Sequence, residues 1–400
     1  MKKLLLLGGS RYLLPVIASA HNLGAYVITC DYLPDNIAHR YSDEYINVSI
    51  TDKEAVLTAA KERDVDGVMS FATDPGVVTA AYVAEKMGLP SCGSYESVSI
   101  LQNKGKFRKF LSDNGFNVPH ARSYKNVEKA IGDADYFNWP VIVKPVDSAG
   151  SKGVTRVDNS RDLKSAVSHA LDYSIGGEFI IEDFIEKKGC SSDTDCFSVD
   201  GKLVVTTFSS QRFDSGAQNP YAPMAYSWPS TFSSESEAEL KKELQRLLTL
   251  LGMKTSIYNV ETREGVDGKP YIMEVSPRGG GNRLAEMIRY ATGTDMIDGA
   301  VRAALGMEVS DLVQKDYDGY WAEYVLHSSE NGIFDGLWID PELKANNVKE
   351  TDIWVKNGDA VHTFDSANYA VGTVVLRFDS MEDMEAAMAD MEKKIRVKIV

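Results

Sequence analysis

The chain opens on an apolar run, Leu4–Leu7, that stops at Gly8-Gly9. A run this short and bounded by glycine reads as a strand buried on both faces. Helical spacing of apolar positions follows from Arg11 to Leu23, then a second strand at Ala25–Cys30 and a short apolar patch at Ile46–Val48. The alternation continues with a helix at Lys53–Arg63, a strand at Gly67–Phe71 and a helix from Val77 to Met87 leading to Leu89-Pro90-Ser91. Strand–helix–strand order predicts a parallel sheet covered by helices, because parallel strands need crossover connections.

Past Asn103 the rhythm changes. A basic helix, Asn103–Leu111, ends at Asn114-Gly115 and Val118-Pro119. The strand Pro140–Val146 enters a Gly-rich turn and returns as Thr155–Val157, followed by a helix at Arg161–Ala170 and a strand at Phe179–Ile181. A hairpin spans 197–208 with its turn at Asp200-Gly201, and Glu235–Leu251 reads as a helix. Strands Ser256–Thr262 and Pro270–Val275 flank the turn at 265–268. Residues 214–234, rich in Ser, Pro, Tyr and Asn, read as a long loop of the kind that often carries function. A last small unit of strands with one helix, Met381–Lys394, closes the chain.

Composition narrows the class. The 400 residues point to two to four domains, and 44% hydrophobic with 25% charged content is that of a folded globular protein. No apolar run approaches the roughly 18–20 residues that span a bilayer, so no membrane partner is expected. Lys2-Lys3 before four leucines has the look of a signal peptide, yet a charged, helical segment follows Gly9 where a cleavage site would stand. The run is therefore read as a buried strand and the protein as cytoplasmic. Four cysteines without C-x-x-C spacing exclude a disulfide framework and make structural zinc an unexpected reading. A net charge of -15 argues against nucleic acid, whose backbone needs Lys/Arg stripes, but leaves room for one triphosphate.

The sharpest chemical signal lies at 256–283. Glu261 and Glu274 sit on strands joined across a Gly-containing turn, where antiparallel pairing can bring them face to face. Two bare carboxylates in contact repel and raise one another's pKa. A hard divalent cation removes that cost, and Mg²⁺ (or Mn²⁺) characteristically takes one or two carboxylates plus phosphate oxygens. The plain alternative is a polar pair on a solvated hairpin. Arg278 follows in a Gly-rich loop, where a guanidinium suits phosphoryl or carboxylate oxygens. Further signals are weaker. Lys144 ends an apolar strand before Gly150, Ser151, Lys152 and Gly153, a loop whose amides can approach phosphates although it is no P-loop. The segment 179–186 (F-I-I-E-D-F-I-E) fits an ordinary strand end or the edge of an adenine pocket. Lys104 lies on a basic helix face that solvation alone would explain.

Taken in order, these signals resemble the ATP-grasp superfamily: K-x₃-R-x₂-L-x₃-G-x₃-P at 104–119, V-I-V-K-P with its Gly loop, E-D-F-I-E, then paired glutamates ending in E-V-S-P-R. The resemblance covers residues 1 to about 310, and the final unit is similar to the small C-terminal domain of amino-acid-ligase and carbamoyl-phosphate-synthase-like members. It implies an α/β and α+β architecture: an N-terminal Rossmann-like domain at 1–102, a linker helix and small subdomain at 103–185, a large subdomain with the metal site at 186–312, and a small domain at 313–400. It also implies ATP and Mg²⁺ as cofactors. Lys104 and Lys144 would hold the phosphates, and Gly150, Ser151 and Gly153 would close over them. Backbone groups from Glu182, Asp183 and Ile185 would pair with adenine. Glu261 and Glu274 would bridge the metal, and Arg278 would steady the transferring phosphoryl group.

Two positions depart from the family's pattern. Ser276 stands where an asparagine usually follows the second metal glutamate, leaving a hydroxyl as the metal ligand. The carboxylate that usually meets the ribose is missing near Cys190–Ser191, and Glu186 is its substitute. The implied reaction turns a carboxylate into an acyl phosphate and passes it to an amine, with an amino acid or similar small molecule as substrate. Specificity is expected from Gln211, Arg212, Asn219, Tyr221 and Tyr226, and Arg283 could meet a substrate carboxylate or form a structural salt bridge. A homodimer is the default for an oligomer. Two rival functions remain to be set against this one. A nicotinamide-dependent oxidoreductase, with Asp31 as ribose ligand, fails because Ser10 and Leu13 occupy required glycine positions. A nucleotide-binding protein without turnover draws support from Ser276 and the missing carboxylate, against intact Lys144, Glu261, Glu274 and Arg278.

Overall fold

The computed structural model describes residues 1–148, 150–214, 216 and 219–400. At its N-terminus four parallel strands lie in the order Glu44–Ile46, Tyr26–Cys30, Lys3–Leu7, Gly67–Ser70. All four leucines of the opening run are fully buried. The period of two explains why: Leu4 and Leu6 pack with Leu13, Val16 and Ile17 on one face, Leu5 and Leu7 with Val56, Ala60 and Val83 on the other. At about 1.5–3 kcal/mol per buried leucine, both faces hold this strand at the centre of its sheet.

Two antiparallel sheets follow. The smaller has the strand order Ala121–Tyr124, Phe179–Asp183, Val141–Pro145, Thr155–Val157. The larger runs Lys202–Thr206, Ser192–Val199, Ser256–Glu264, Pro270–Ser276. The helix Ser234–Leu250 covers the second, burying Leu240, Leu244, Leu247 and Leu248 at helical spacing beside Ile272 and Val275. Its start is fixed by Ser233, whose side chain accepts from the Ser236 amide.

The reading of 214–234 as one loop needs correction. Pro223–Trp228 is a strand, paired with Ser210–Phe213 on one side and Tyr320–Leu326 on the other. Burial of Tyr226 and Trp228 outweighs the turn-forming composition of their neighbours. A five-stranded sheet results, in the order Ser210–Phe213, Pro223–Trp228, Tyr320–Leu326, Gly372–Phe378, Val348–Ile353. It joins strands from both sides of the boundary expected at 312. The closing helix is interrupted, with segments Met381–Met388 and Met391–Lys394. Among the described residues no helix is long and apolar enough to cross a membrane.

Candidate functional site

Glu261 and Glu274 are direct cross-strand partners. The neighbouring strand extends the row, since Asp193 opposes Glu261. Two residues along, Asp195, Asn259 and Ser276 form a parallel row on the same face. One face of the larger sheet therefore presents a grid of polar side chains. Burial first, then Glu274, pushes the Glu261 carboxyl above its ordinary value. Burial and Glu261 raise Asp193 to about 8, and burial raises Asp195 to about 7 against two donated bonds from the Gly280 amide. Asn259 Nδ2 donates to Asp193 Oδ1 at 2.7 Å, which satisfies one oxygen but adds no charge.

The cations reach this grid from the other elements. Asn103 caps the helix Lys104–Asp113 by accepting from the Lys106 amide, which sets Lys104 at the first turn. Lys104 Nζ lies 3.6 Å from Glu274 Oε2 and donates to the Ser148 carbonyl at 2.8 Å, tying the Gly-rich loop to this helix. One helical turn on, Arg108 points into the interior. Its Nε lies 2.8 Å from Glu182 Oε1 and its NH1 donates to the Met273 carbonyl at 2.8 Å. Lys144 Nζ meets the other Glu182 oxygen at 2.9 Å. Glu182 is 2% exposed. Burial alone would raise its carboxyl, but the two cations hold it at about 2. Lys144 is shifted down, by burial first and by the neighbouring cations Arg108 and Lys104, with Glu182 opposing.

Arg278 forms a two-pronged pair with Asp74, Nε to Oδ1 at 2.9 Å and NH2 to Oδ2 at 2.6 Å. Ser276 donates to the same Oδ1 at 2.8 Å and accepts from Gln102 Nε2 at 2.7 Å. Burial works against the Asp74 anion, yet Arg278 keeps its carboxyl below the ordinary value. Asp74 opens the helix Asp74–Met87, so this cluster fastens the N-terminal unit to the carboxylate grid.

Several expected positions make contacts that the sequence does not forecast. The Glu182 side chain is an internal counter-ion, and the residue sits inside a central strand, opposite Ala121 and Ile142. The Asp183 carboxylate accepts from the Asn138 amide and from Asn138 Nδ2, so it fastens a loop. The Ile185 carbonyl accepts from Arg263. Glu186 is exposed, 4.0 Å from Arg156. The Ser276 hydroxyl is engaged by Asp74 and Gln102, which leaves one lone pair for a metal ion or its water. Gly150, Ser151 and Gly153 all have positive φ. A Cβ at Gly153 would stand 3.1 Å from Pro145 and Tyr173, so glycine is required there on two counts. Ala149 in this loop, like 215, 217 and 218 of the longer segment, lies outside the described residues. Arg283 forms salt bridges with Glu350 at 2.7 Å and Glu286 at 3.2 Å, the structural alternative of its two readings.

Asp193, Asp195, Asn259 and Asp74 escaped the sequence reading, while Arg108 stood in the 104–119 motif without an assigned role. A signal for the first three was present. Asp193-x-Asp195, Asn259-x-Glu261 and Glu274-x-Ser276 share a period of two, placing polar side chains on one face of three strands. Asp74 and Arg108 meet their partners only through the tertiary fold.

Known proteins resemble this chain in sequence and in fold. Residues 137–286 match the family model described as an ATP-grasp domain. Over 282 residues the chain is 26% identical to the carbamoyl phosphate synthase large chain of Thermoanaerobacter sp. (strain X514), covering 68% of this chain and 25% of that protein. The chain spans about a quarter to a third of the length of the curated relatives it matches. Among solved structures, L-amino acid ligase from Bacillus licheniformis superposes with a TM-score of 0.82 at 21% identity, covering 100% of this chain and 99% of that one. The biotin carboxylase domain dimer of Hydrogenobacter thermophilus 2-oxoglutarate carboxylase, complexed with MgADP, ADP and bicarbonate, gives 0.74 at 15% identity, covering 100% and 91%.

Proposed function

We propose that the chain, whose residues 137–286 match an ATP-grasp domain, is an ATP-dependent ligase that activates a small carboxylate and joins it to an amine. The observation that carries this reading is the placement of Glu261 directly opposite Glu274, with Lys104 3.6 Å from the latter. The donor set fits Mg²⁺ (or Mn²⁺). The raised Glu261 carboxyl marks surplus negative charge that a divalent cation would neutralise. Among the described residues no group of three or more His, Cys, Asp or Glu can hold an ion unaided. Glu261 and Glu274 would hold it, with the Ser276 lone pair beside them. When bound, the ion supplies charge neutralisation for the phosphates.

The protein's own groups do the rest. Lys104 and Lys144 receive phosphate oxygens, and Glu182 fixes the direction of the Lys144 ammonium. Gly150, Ser151 and Gly153 supply a backbone that closes against the nucleotide and keeps water from the reactive acyl phosphate. Adenine lies at the strand end near Glu182–Ile185, and Glu186 meets the ribose. The substrate carboxylate attacks the γ-phosphorus of ATP, and ADP leaves. The resulting acyl phosphate carries a far better leaving group than oxide, so an amine displaces phosphate to give an amide. Arg278, held in place by Asp74, steadies the transferring phosphoryl group.

Amino acids or similar small molecules are the substrates this reading favours, in a cytoplasmic enzyme that works as a homodimer. The likeness to L-amino acid ligase supports the substrate class, and the dimeric carboxylase domain supports the assembly. A second reading, nucleotide binding without turnover, draws on the Asp74–Arg278 pair, which engages the guanidinium. Glu274→Gln separates the two. Loss of ATP-dependent phosphate release, with unchanged circular dichroism, is expected of a ligase. Survival of that activity would refute the metal assignment.

A further inference from the structure

Glu323, on the strand Tyr320–Leu326, is 0% exposed, and neither of its carboxylate oxygens has a hydrogen-bond partner. An unpaired buried carboxylate is costly enough that folded proteins rarely keep one. Its direction follows from register. Tyr226 opposes Glu323 on one side and Val375 on the other, while Gln211 opposes Tyr226 and Glu350 opposes Val375. Directly opposed residues share a face, so Gln211, Tyr226, Glu323 and Glu350 form one row.

That row faces the loop leading out of the carboxylate grid. Asn282 Nδ2 donates to the Tyr226 phenol at 2.9 Å, and Asn282 Oδ1 accepts from Tyr12 at 3.1 Å. Arg283 binds Glu350 at the far end. At the near end Gln211 Nε2 reaches Asp193 Oδ2 at 3.5 Å. The row is thus continuous with the proposed metal and phosphate site. Its charge is unbalanced: Arg283 is already shared by Glu286 and Glu350 before Glu323 is counted. Burial pushes the Glu323 carboxyl well above its ordinary value, with Arg283 opposing the rise and Glu286 and Glu350 adding to it.

We propose that Glu323 receives the ammonium group of the substrate, so that the site selects amino acids or amines over carboxylic acids lacking nitrogen. This assignment rests on the ligase reading and names its substrate class. A buried carboxylate gains most from a charged donor, and an ammonium fills both needs at once. Tyr12, whose phenol pKa Glu323 helps to raise, reaches the same row from the N-terminal unit through Asn282.

The test is a thermal-shift screen of the full chain with a non-hydrolysable ATP analogue and Mg²⁺. One set of pools holds the standard amino acids and simple primary amines, and the matched set holds the same carboxylic acids without the amino group. At least one amino pool should raise the Tm of the wild type, and its matched acid pool should not. Glu323→Gln, equal in shape and uncharged, should weaken the active compound by more than about tenfold in calorimetry, with the affinity for the ATP analogue unchanged; Glu323→Asp should retain part of the binding. Equal shifts in Glu323→Gln, equal shifts by the nitrogen-free acids, or no shift by any amino pool would each overturn the assignment. A Glu323-dependent shift without phosphate release would instead sink the ligase reading alone.

Discussion

Replacing Glu182 by glutamine tests whether the lysine and arginine around it are held by a buried charge. Its side chain and that of Arg108 are each 3% exposed, and Lys144 is 13% exposed. At 2.8 and 2.9 Å, each contact has a gross attraction of about 6 kcal/mol with an effective dielectric of 20. Desolvation offsets most of that. What survives on removing the carboxylate is the cost of two adjacent buried cations, about 3–5 kcal/mol. For a folding unit of 150–250 residues this is a Tm lower by about 6–20 °C. The same change should weaken ATP binding, because Lys144 loses the partner that directs its ammonium. The sign with pH is also fixed. The depressed Glu182 pKa contributes stability that is complete above its unfolded value and is lost as pH falls towards about 2. Scanning calorimetry of Glu182→Gln and Arg108→Met, singly and together, provides the assay, with a coupling energy of about 0.5–3 kcal/mol expected. A Tm within about 2 °C of wild type for Glu182→Gln would refute the reasoning.

Asp193 and Asp195 are raised to about 8 and about 7, so the folded state keeps protons that the unfolded chain releases near pH 4. The metal-free protein should lose stability as pH rises from about 4 to 8, and Asp193→Asn should flatten that slope; equal slopes in Tm against pH would count against the shared-charge account. Gly153→Ala places a side chain at φ +71° and 3.1 Å from Pro145 and Tyr173, and we expect kcat/KM for ATP to fall about tenfold with a cost of about 1–2 kcal/mol; an unchanged KM would show that the loop does not close on nucleotide. Asp74→Asn removes the anion that orients Arg278, so turnover should drop about tenfold or more while nucleotide affinity by calorimetry stays within about twofold. A rise in turnover would instead mean that Asp74 restrains Arg278.

Much of the fold was legible because period decides so much locally. The Leu4–Leu7 run, the helix Lys53–Arg63 and the hairpin turning at Asp200-Gly201 all appear where their patterns place them. The pairing of Glu261 with Glu274 follows from a short hairpin, where turn and register are local matters. The strand Pro223–Trp228 was hidden behind turn-forming neighbours, and one of its two partners, Tyr320–Leu326, lies nearly a hundred residues on. For the same reason the role of the Glu182 side chain was not legible: a motif can mark the residue, but its counter-ion Arg108 arrives through packing of a distant helix. Ser276 looked like a free hydroxyl until the N-terminal unit brought Asp74 to it.

The central claim is that this site activates a carboxylate with Mg-ATP, and phosphate release tests it most directly. Purified protein with Mg-ATP, screened against pools of amino acids and small carboxylic acids with and without an added amine, should release phosphate only with particular pools. That release should vanish without Mg²⁺. Silence across every pool, with ATP binding confirmed by calorimetry, would contradict the ligase account and leave a protein that binds nucleotide without turning it over.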